Sequence, residues 1–456
     1  MNRRNPLLLL INPWIADVAA FDLWAWPLGL LRWASVLRAW GFDVKLLDCT
    51  DRAHPALPKA VPGSKKFHTG KYWAEDWPEQ PEPARRAERV FRRFGLPTEA
   101  FEAELDRVEI EGEGPPDAIL LSSRLTYWYP GVFDAIARLR RRWPATPVLL
   151  GGIYATLCHG HARAGSGADR VFAGASGADI ARWLAETFPK IRESVIAPPE
   201  NPVDWPRPAF DLCHSRESLP ITTSFGCPHR CSYCASRLLQ PVYARRTPAF
   251  LFEEITEYHE KWGCVDFAFY DDALLERPDA NIRPLLRMLI QAELPARFHT
   301  PNGMRHSMID AETAALMRAA RFETIRISLE SSDNSQLARW NRSEDADAFR
   351  SAVRALRDAG YAREDIGVYI MAGMPGQDFE SVRRAILLAH ECGAKPRLNE
   401  YSPIPGTAEW EKALALCGPA LAEEPLWQNN SFYFTRPETG WRENFLKLKE
   451  LAHAKS

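Results

Sequence analysis

Strand-like and helix-like stretches alternate along this chain in two runs, and that rhythm restricts the fold more than any other feature. The first run opens with "PLLLLIN" (6–12), which reads as a buried strand. It continues with a helix over 27–41 stopped by Gly41, strand "FDVKLLDC" (42–49), strand "DAILLSS" (117–123), a helix over 131–143, strand "PVLLGG" (147–152), a short strand "ADRVFAG" (168–174) and a helix over 178–188. Such alternation predicts a Rossmann-like (flavodoxin-like), doubly wound α/β domain over residues 1–195. Residues 51–115 break the rhythm with charged, Pro and aromatic residues. They are expected to form an insertion with one or two helices, such as "PARRAERVFRRFG" (83–95), its basic residues on a solvated face.

A Pro-rich stretch, "APPENPVDWPRP" (197–208), marks a linker over 196–217. Alternation then resumes over 218–404 with six strand candidates: "LPITTSFG", "CVDFAFYDD", "ARFHTPNG", "ETIRISLES", "DIGVYIMAG" and "PRLNEYSPIPG". Six such units predict a partial TIM-type (β/α)6 barrel, and residues 405–456 a helical, Trp-containing tail.

Cys227, Cys231 and Cys234 follow the first strand of this second run, where parallel α/β barrels carry their chemistry. The chain has nine cysteines in 456 residues, an odd number that does not suggest a disulfide framework. The apolar run Leu7 to Ile11 is too short to span a membrane, and no small-residue cleavage site follows it, so a cytoplasmic location is expected. With a formal net charge of -2, nothing points to nucleic acid or to an anionic membrane; a small-molecule or peptide substrate is the expectation. Three thiolates on one loop suit zinc or an iron–sulfur centre. A closed zinc site would need a fourth ligand such as His229, Cys213 or His214, whereas a catalytic centre keeps one position open.

The C-x3-C-x2-C spacing, with Tyr233 just before the last cysteine, resembles the signature of the radical S-adenosylmethionine (SAM) superfamily. The resemblance implies a 4Fe-4S cluster on Cys227, Cys231 and Cys234, with SAM chelating its open iron. "FYDDALL" (269–275) resembles the segment that meets the SAM amino group, making Asp271 and Asp272 candidates. "ISLES" (327–331) resembles the fourth-strand segment near the ribose and carboxylate, making Ser328 and Glu330 candidates. "GVYIMAGMPGQ" (367–377) resembles the fifth-strand segment against adenine, with Gly373 and Pro375, and "SPIPGT" (402–407) the sixth-strand loop. Tyr233 joins the SAM-binding candidates on the same ground.

At the carboxyl ends of the first sheet's strands stand Asn12 and Pro13, Ser122 and Ser123, and Gly151 and Gly152, small or polar residues that would let a large flat ligand approach the backbone. With "PLGLL" (27–31), "LLGGIYATL" (149–157) and "ADRVFAGASGAD" (168–179), this half is similar to the cobalamin (B12)-binding-domain class of radical SAM enzymes. Two departures stand out. The D-x-H-x-x-G motif that supplies a lower axial His is missing, "DRAHPALP" (51–58) having the wrong spacing, and the usual acidic G-E-G-E stretch is "GASGAD" here. Cobalt would then lack a His ligand, with the loop "LTYWY" (125–129) and its Tyr127 expected to cover the lower face.

The resemblance implies an enzyme that reductively cleaves SAM to a 5′-deoxyadenosyl radical, with electrons from an external one-electron reductant such as ferredoxin or flavodoxin, and transfers a methyl group through cobalamin to an unactivated carbon. The alternatives are rearrangement, cyclisation or C–S bond formation without cobalamin, and a non-catalytic metal-binding scaffold.

Overall fold

The opening apolar run forms β1 (Leu7–Asn12), and its side chains divide between two cores. Leu7, Leu9 and Ile11 join one hydrophobic cluster, Leu8 and Leu10 the other, as befits the centre of a parallel sheet covered on both faces. With β2 (Asp43–Asp48), β3 (Ala118–Leu121), β4 (Val148–Leu150) and β5 (Arg170–Val171), it makes an all-parallel sheet of order β5-β4-β3-β1-β2. Helices Thr98–Glu111 and Tyr129–Arg142 supply apolar residues to the first cluster, and Leu28–Ala39 and Ala178–Thr187 to the second. This is the flavodoxin-like order, whose direction of winding reverses between β1 and β3.

The computed structural model describes residues 5–58, 66–174, 177–441 and 444–454. Ala175 and Ser176 of the "GASGAD" segment, and residues 59–65 of the insertion, lie outside the described residues. Two units are distinguished, Met1–Ser215 with Ala420–Asn429, and Arg216–Pro419 with Asn430–Ser456. Part of the stretch expected to be a C-terminal tail thus clusters with the first unit, where Asn429 Nδ2 donates to Asp17 Oδ1 at 2.8 Å and the Tyr129 hydroxyl donates to Glu424. No helix among the described residues is long and apolar enough to cross a membrane.

The insertion departs from expectation. The helix expected over 83–95 ends at Arg86, and Arg92–Phe94 is instead a strand between Ile15–Asp17 and Ala74–Asp76, antiparallel to both. The helix ends where Glu88 takes a left-handed conformation (φ 55°) and Arg89 N donates to Ala84 O at 3.0 Å; Gln80, ahead of the helix, fastens the returning chain, its Oε1 accepting from Phe91 N at 2.6 Å while Nε2 donates to Trp77 O. Arg93, read as part of a solvated basic face, is buried. It pairs with Glu75 at 3.0 Å and Asp134 at 2.8 Å, and its guanidinium lies over Trp14 and Trp77. Arg85, Arg86, Arg89 and Arg92 do face solvent.

In the second unit six strands follow in chain order, all parallel: β6 (Ser218–Ile221), β7 (Asp266–Phe269), β8 (Arg297–His299), β9 (Phe322–Glu330), β10 (Ile366–Ala372) and β11 (Lys395–Glu400). Among the described residues β6 and β11 do not pair, so the barrel is partial. Helices Pro248–Trp262, Ala311–Ala319, Ala346–Asp358 and Phe379–Glu391 alternate with the strands. Each starts where a side-chain oxygen, of Thr247, Asp310, Asp345 or Asp378, accepts a first-turn N–H. These caps fix where each strand-to-helix loop ends.

Candidate active site

The cysteine loop leaves β6 through Thr223 and Ser224, and Asp271 at the end of β7 holds that exit. Its carboxylate accepts from Thr223 N (3.0 Å), Thr223 Oγ1 (2.6 Å), Ser224 N (2.6 Å) and Ser224 Oγ (2.7 Å). Burial pushes the carboxyl up, and these four donors pull it back. Asp271 is therefore engaged by the loop. Replacing it with Ala leaves buried donors unmatched and is expected to cost about 3 kcal/mol, read as a lowered urea midpoint at unchanged slope.

Beyond Ser224 the chain turns at Gly226 (φ 68°), where a Cβ would sit 2.6 Å from the Val242 carbonyl oxygen, so only glycine fits. The loop is then pinned from below. Ser232 N donates to Trp340 O (3.1 Å), Asn341 Nδ2 to Arg230 O (3.2 Å), and Ser232 Oγ to Glu409 Oε1 (2.8 Å). Cys227 and Cys231 are half-buried and Cys234 is exposed, and all three are free thiols. The Cys227 thiol is pushed up to about 11, by burial first, and also by Asp272 and the two other thiols, so the three sulfurs share one local field. Burial also raises Cys231, while Arg342 opposes the rise. A metal bound by these thiols would take their protons' place.

Among the described residues no three His, Cys, Asp or Glu side chains converge as ligands of a single metal ion. Of the possible fourth zinc ligands, His229 Nε2 lies 3.2 Å from Glu276, and His214 Nδ1 lies 2.7 Å from Asp51.

A cleft with about 340 Å³ of empty space, open to solvent, adjoins the loop; His229, Asp271, Asp272, Asn302, Gly303 and Arg305 are among its lining residues. Of the two aspartates, Asp272 is the one whose side chain reaches solvent. Enclosure by its neighbours raises its carboxyl, against the Ser236 hydroxyl. Glu330 ends β9 at a register shift after Ser328, in the left-handed conformation (φ 62°) that non-glycine residues rarely adopt. It is buried, its Oε2 has no hydrogen-bond partner, and Oε1 lies 3.8 Å from Arg342 Nη1. Burial pushes this carboxyl up, with Arg342 and then the Ser328 hydroxyl opposing. A strained backbone that presents an orphaned buried acceptor fits a ligand hydroxyl or ammonium.

Ser328 is buried, and Gly303 packs against it so closely that a Cβ on Gly303 would overlap its Oγ. Tyr233 stands edge-on to Trp340 and accepts from Arg342 Nη1 at 3.0 Å. At Gly373 (φ 89°) a Cβ would overlap the Phe434 ring, so this glycine makes room for the chain's own aromatic. Pro375 is half-buried on the next turn, which Gln377 braces by donating to Met371 O at 2.9 Å.

Arg305 and Arg342 were not singled out from the sequence. Arg342 Nη2 lies 2.6 Å and Arg305 Nε 3.2 Å from Glu344, and both guanidiniums oppose the rise of the Cys231 thiol. "NGMRHSM" (302–308) directly after the third strand was the available signal for Arg305. Arg342 lies past a helix and a turn, where no local pattern marks it.

In the first unit a crevice with about 730 Å³ of empty space opens at the carboxyl ends of β3 and β4. Ser122, Gly151 and Gly152 line it together with Trp33, Phe172 and Gly174. A Cβ on Gly151 would meet nothing within 4 Å, whereas one on Gly152 (φ 95°) would overlap the Ser123 carbonyl. Gly151 therefore faces open space and Gly152 serves the fold. Asn12, Pro13, Ser123 and Tyr127 lie outside the lining. Asn12 donates to Asp48 (2.5 Å) and Thr50 (2.9 Å), Ser123 Oγ donates to Gly151 O (2.7 Å), and Tyr127 packs edge-on against Trp128. Between Ser122 and the aromatic loop, Arg124 keeps a buried Nη2 without a partner.

Residues 221–389 match the model of the Radical SAM superfamily, so the barrel is a radical SAM domain. A Pyrococcus abyssi protein named "Probable threonylcarbamoyladenosine tRNA methylthiotransferase" is 24% identical over 234 residues, 46% of this chain and 52% of that one. An uncharacterized methyltransferase of Pyrococcus horikoshii is 24% identical over 225 residues, 47% of this chain and 48% of that one. The chain spans about half the length of the curated relatives it matches. Among solved structures, the radical SAM methyltransferase TsrM from Kitasatospora setae, with tryptophan and a SAM analogue, superposes with TM-score 0.64 at 17% identity, covering 91% of this chain and 76% of that one. The cobalamin-dependent SAM radical enzyme OxsB superposes with TM-score 0.57 at 14% identity, covering 92% of this chain and 56% of that one. The chain thus has the fold of these enzymes, a Rossmann-like domain followed by a radical SAM barrel.

Proposed function

We propose that this chain is a cobalamin-dependent radical SAM enzyme that methylates an unactivated carbon of a small-molecule or peptide substrate. The carrying observation is the constellation on the barrel: three thiols in one field, beside a strained, buried Glu330 with an unpartnered oxygen. Cys227, Cys231 and Cys234 would hold a 4Fe-4S cluster, which supplies the electron that breaks the C5′–S bond of SAM when an external reductant such as ferredoxin or flavodoxin charges it.

The chain's own residues do the rest. Arg305 and Arg342 set positive charge beside the Cys231 thiol and favour its deprotonation. Glu330 accepts a hydroxyl or ammonium proton with its free oxygen, Asp272 offers a second acceptor at the cleft, and Asp271 keeps the loop exit in place. In the first unit, Ser122 and Gly151 leave the crevice open to a flat ligand such as part of cobalamin. TsrM and OxsB, which share both folds, are described with cobalamin bound.

The relatives named for methylthio transfer favour a second reading, C–S bond formation without cobalamin. Anaerobic reconstitution with iron and sulfide tests both. A brown protein that converts SAM to 5′-deoxyadenosine with a chemical reductant is expected. A colourless protein without SAM cleavage overturns the radical SAM reading, and a brown one that retains no cobalamin selects the second.

A further inference from the structure

Inside the barrel two guanidinium groups stand together without an acid. On β9, Ile325, Ile327 and Leu329 are fully buried, and strand alternation turns Arg326 and Ser328 to the opposite face, the barrel interior. Pairing sets Gly367 of β10 beside Arg326, and Arg397 of β11 beside Tyr369. A Cβ built on Gly367 would lie 2.7 Å from Arg397 Nε and 2.9 Å from Arg326 Nη1. The two guanidiniums thus occupy the place a side chain would take, and only glycine here lets them come together over the strand.

Neither guanidinium has an ion pair among the described residues. Arg326 Nη1 donates to Ile325 O at 2.9 Å and lies near the Tyr369 hydroxyl, which itself donates to Pro301 O at 2.7 Å. Arg397 Nε is buried with no hydrogen-bond partner. Burial first, and the Arg397 charge second, lower Arg326 to about 10; the Tyr369 hydroxyl and then Asp365, which makes no ion pair with it among the described residues, act against this. Both arginines are half-buried rather than sealed, so a ligand can reach them.

Adjacent like charges in a low-dielectric interior repel, and a buried donor without an acceptor is costly. An oxyanion removes both costs at once, because a guanidinium fork matches two oxygens of a carboxylate or phosphate. We infer that Arg326 and Arg397, brought together over Gly367, form an oxyanion subsite, which takes the carboxylate or phosphate of the substrate. The assignment of that anion to the substrate rests on the radical SAM reading. Glu330 lies four residues further along the same strand, roughly 13 Å at ~3.3 Å per residue.

The test uses the full chain without SAM, at constant ionic strength, and titrates inorganic phosphate and acetate in separate calorimetric and melting experiments. At least one of the two should bind saturably and raise the melting temperature, and which one does so separates phosphate from carboxylate chemistry. Arg326→Gln and Arg397→Gln should each weaken that binding at least about tenfold. The exposed Arg237→Gln protein should bind like the wild type. Without added anion, Arg397→Gln should melt no lower than wild type, because the variant loses a repulsion rather than a partner. Absence of saturable binding of either anion, or equal affinity in the Arg397→Gln protein, overturns the subsite. Anion binding without SAM cleavage leaves the subsite standing and removes only its assignment to a radical substrate.

Discussion

The Cys231→Ala protein, reconstituted anaerobically with iron and sulfide, is expected to hold no 4Fe-4S cluster and to form no 5′-deoxyadenosine. Even the loss of a hydrogen bond to a metal ligand weakens such sites by roughly 10–100-fold, and losing the ligand itself should exceed that. No neighbouring side chain can take its place. His229 faces Glu276, Ser232 is tied to Glu409, and Arg342 beside the thiol is a cation. Because burial holds the Cys227 thiol up at about 11, that thiol is protonated at neutral pH, and metal loading releases its proton. Loading of the wild type should accordingly be more complete at pH 8.5 than at pH 6.5, while the Cys231→Ala protein stays colourless at both. Cys392→Ala, at a half-buried thiol whose recorded contact is Arg350 at 3.9 Å, serves as the control and should keep its iron. Full cluster iron and SAM cleavage in the Cys231→Ala protein would sink the reading of this loop.

What the sequence made legible was whatever a short stretch decides by itself. The two-faced burial of β1, the six barrel strands and the cysteine spacing all follow from local composition and period, and they stand in the fold as expected. Partnerships made across the chain were not legible. Asp271 and Asp272 look equivalent in "FYDD", yet donors from Thr223 and Ser224, nearly fifty residues earlier, commit the first and leave the second at the cleft. Gly373 looked like a glycine that serves a ligand, but Phe434 occupies the side a Cβ would take. The helix expected over 83–95 failed for a similar reason. Its basic periodicity is helical, but the chain reverses at Glu88 (φ 55°), and pairing with Ile15–Asp17 and Ala74–Asp76 makes the next segment a strand. The buried Arg93 between two tryptophans and two acids could not be told from its exposed neighbours without that sheet.

Titration with hydroxocobalamin should separate the residues that face the first unit's crevice from those that shape it. The wild type is expected to retain stoichiometric cobalamin through gel filtration, and Gly151→Trp to bind it at least about 100-fold more weakly, since an indole would fill space that is now open. Cluster iron should be unchanged in that variant, because Gly151 belongs to the other unit. Gly152 is the poorer probe despite its place in the lining. Its positive φ and the nearby Ser123 carbonyl mean that any side chain there disturbs the turn after β4, so lost binding could reflect misfolding. His54→Ala should leave both the affinity and the visible spectrum of bound cobalamin as they are. His54 lies in the insertion, buried beside Glu104 at 3.4 Å and edge-on to His214, and is absent from the crevice lining. A His54→Ala protein with an altered cobalt spectrum would refute His-independent binding. Wild-type protein that retains no cobalamin would remove the methyl-transfer reading altogether and leave a radical SAM enzyme whose Rossmann-like unit has another task.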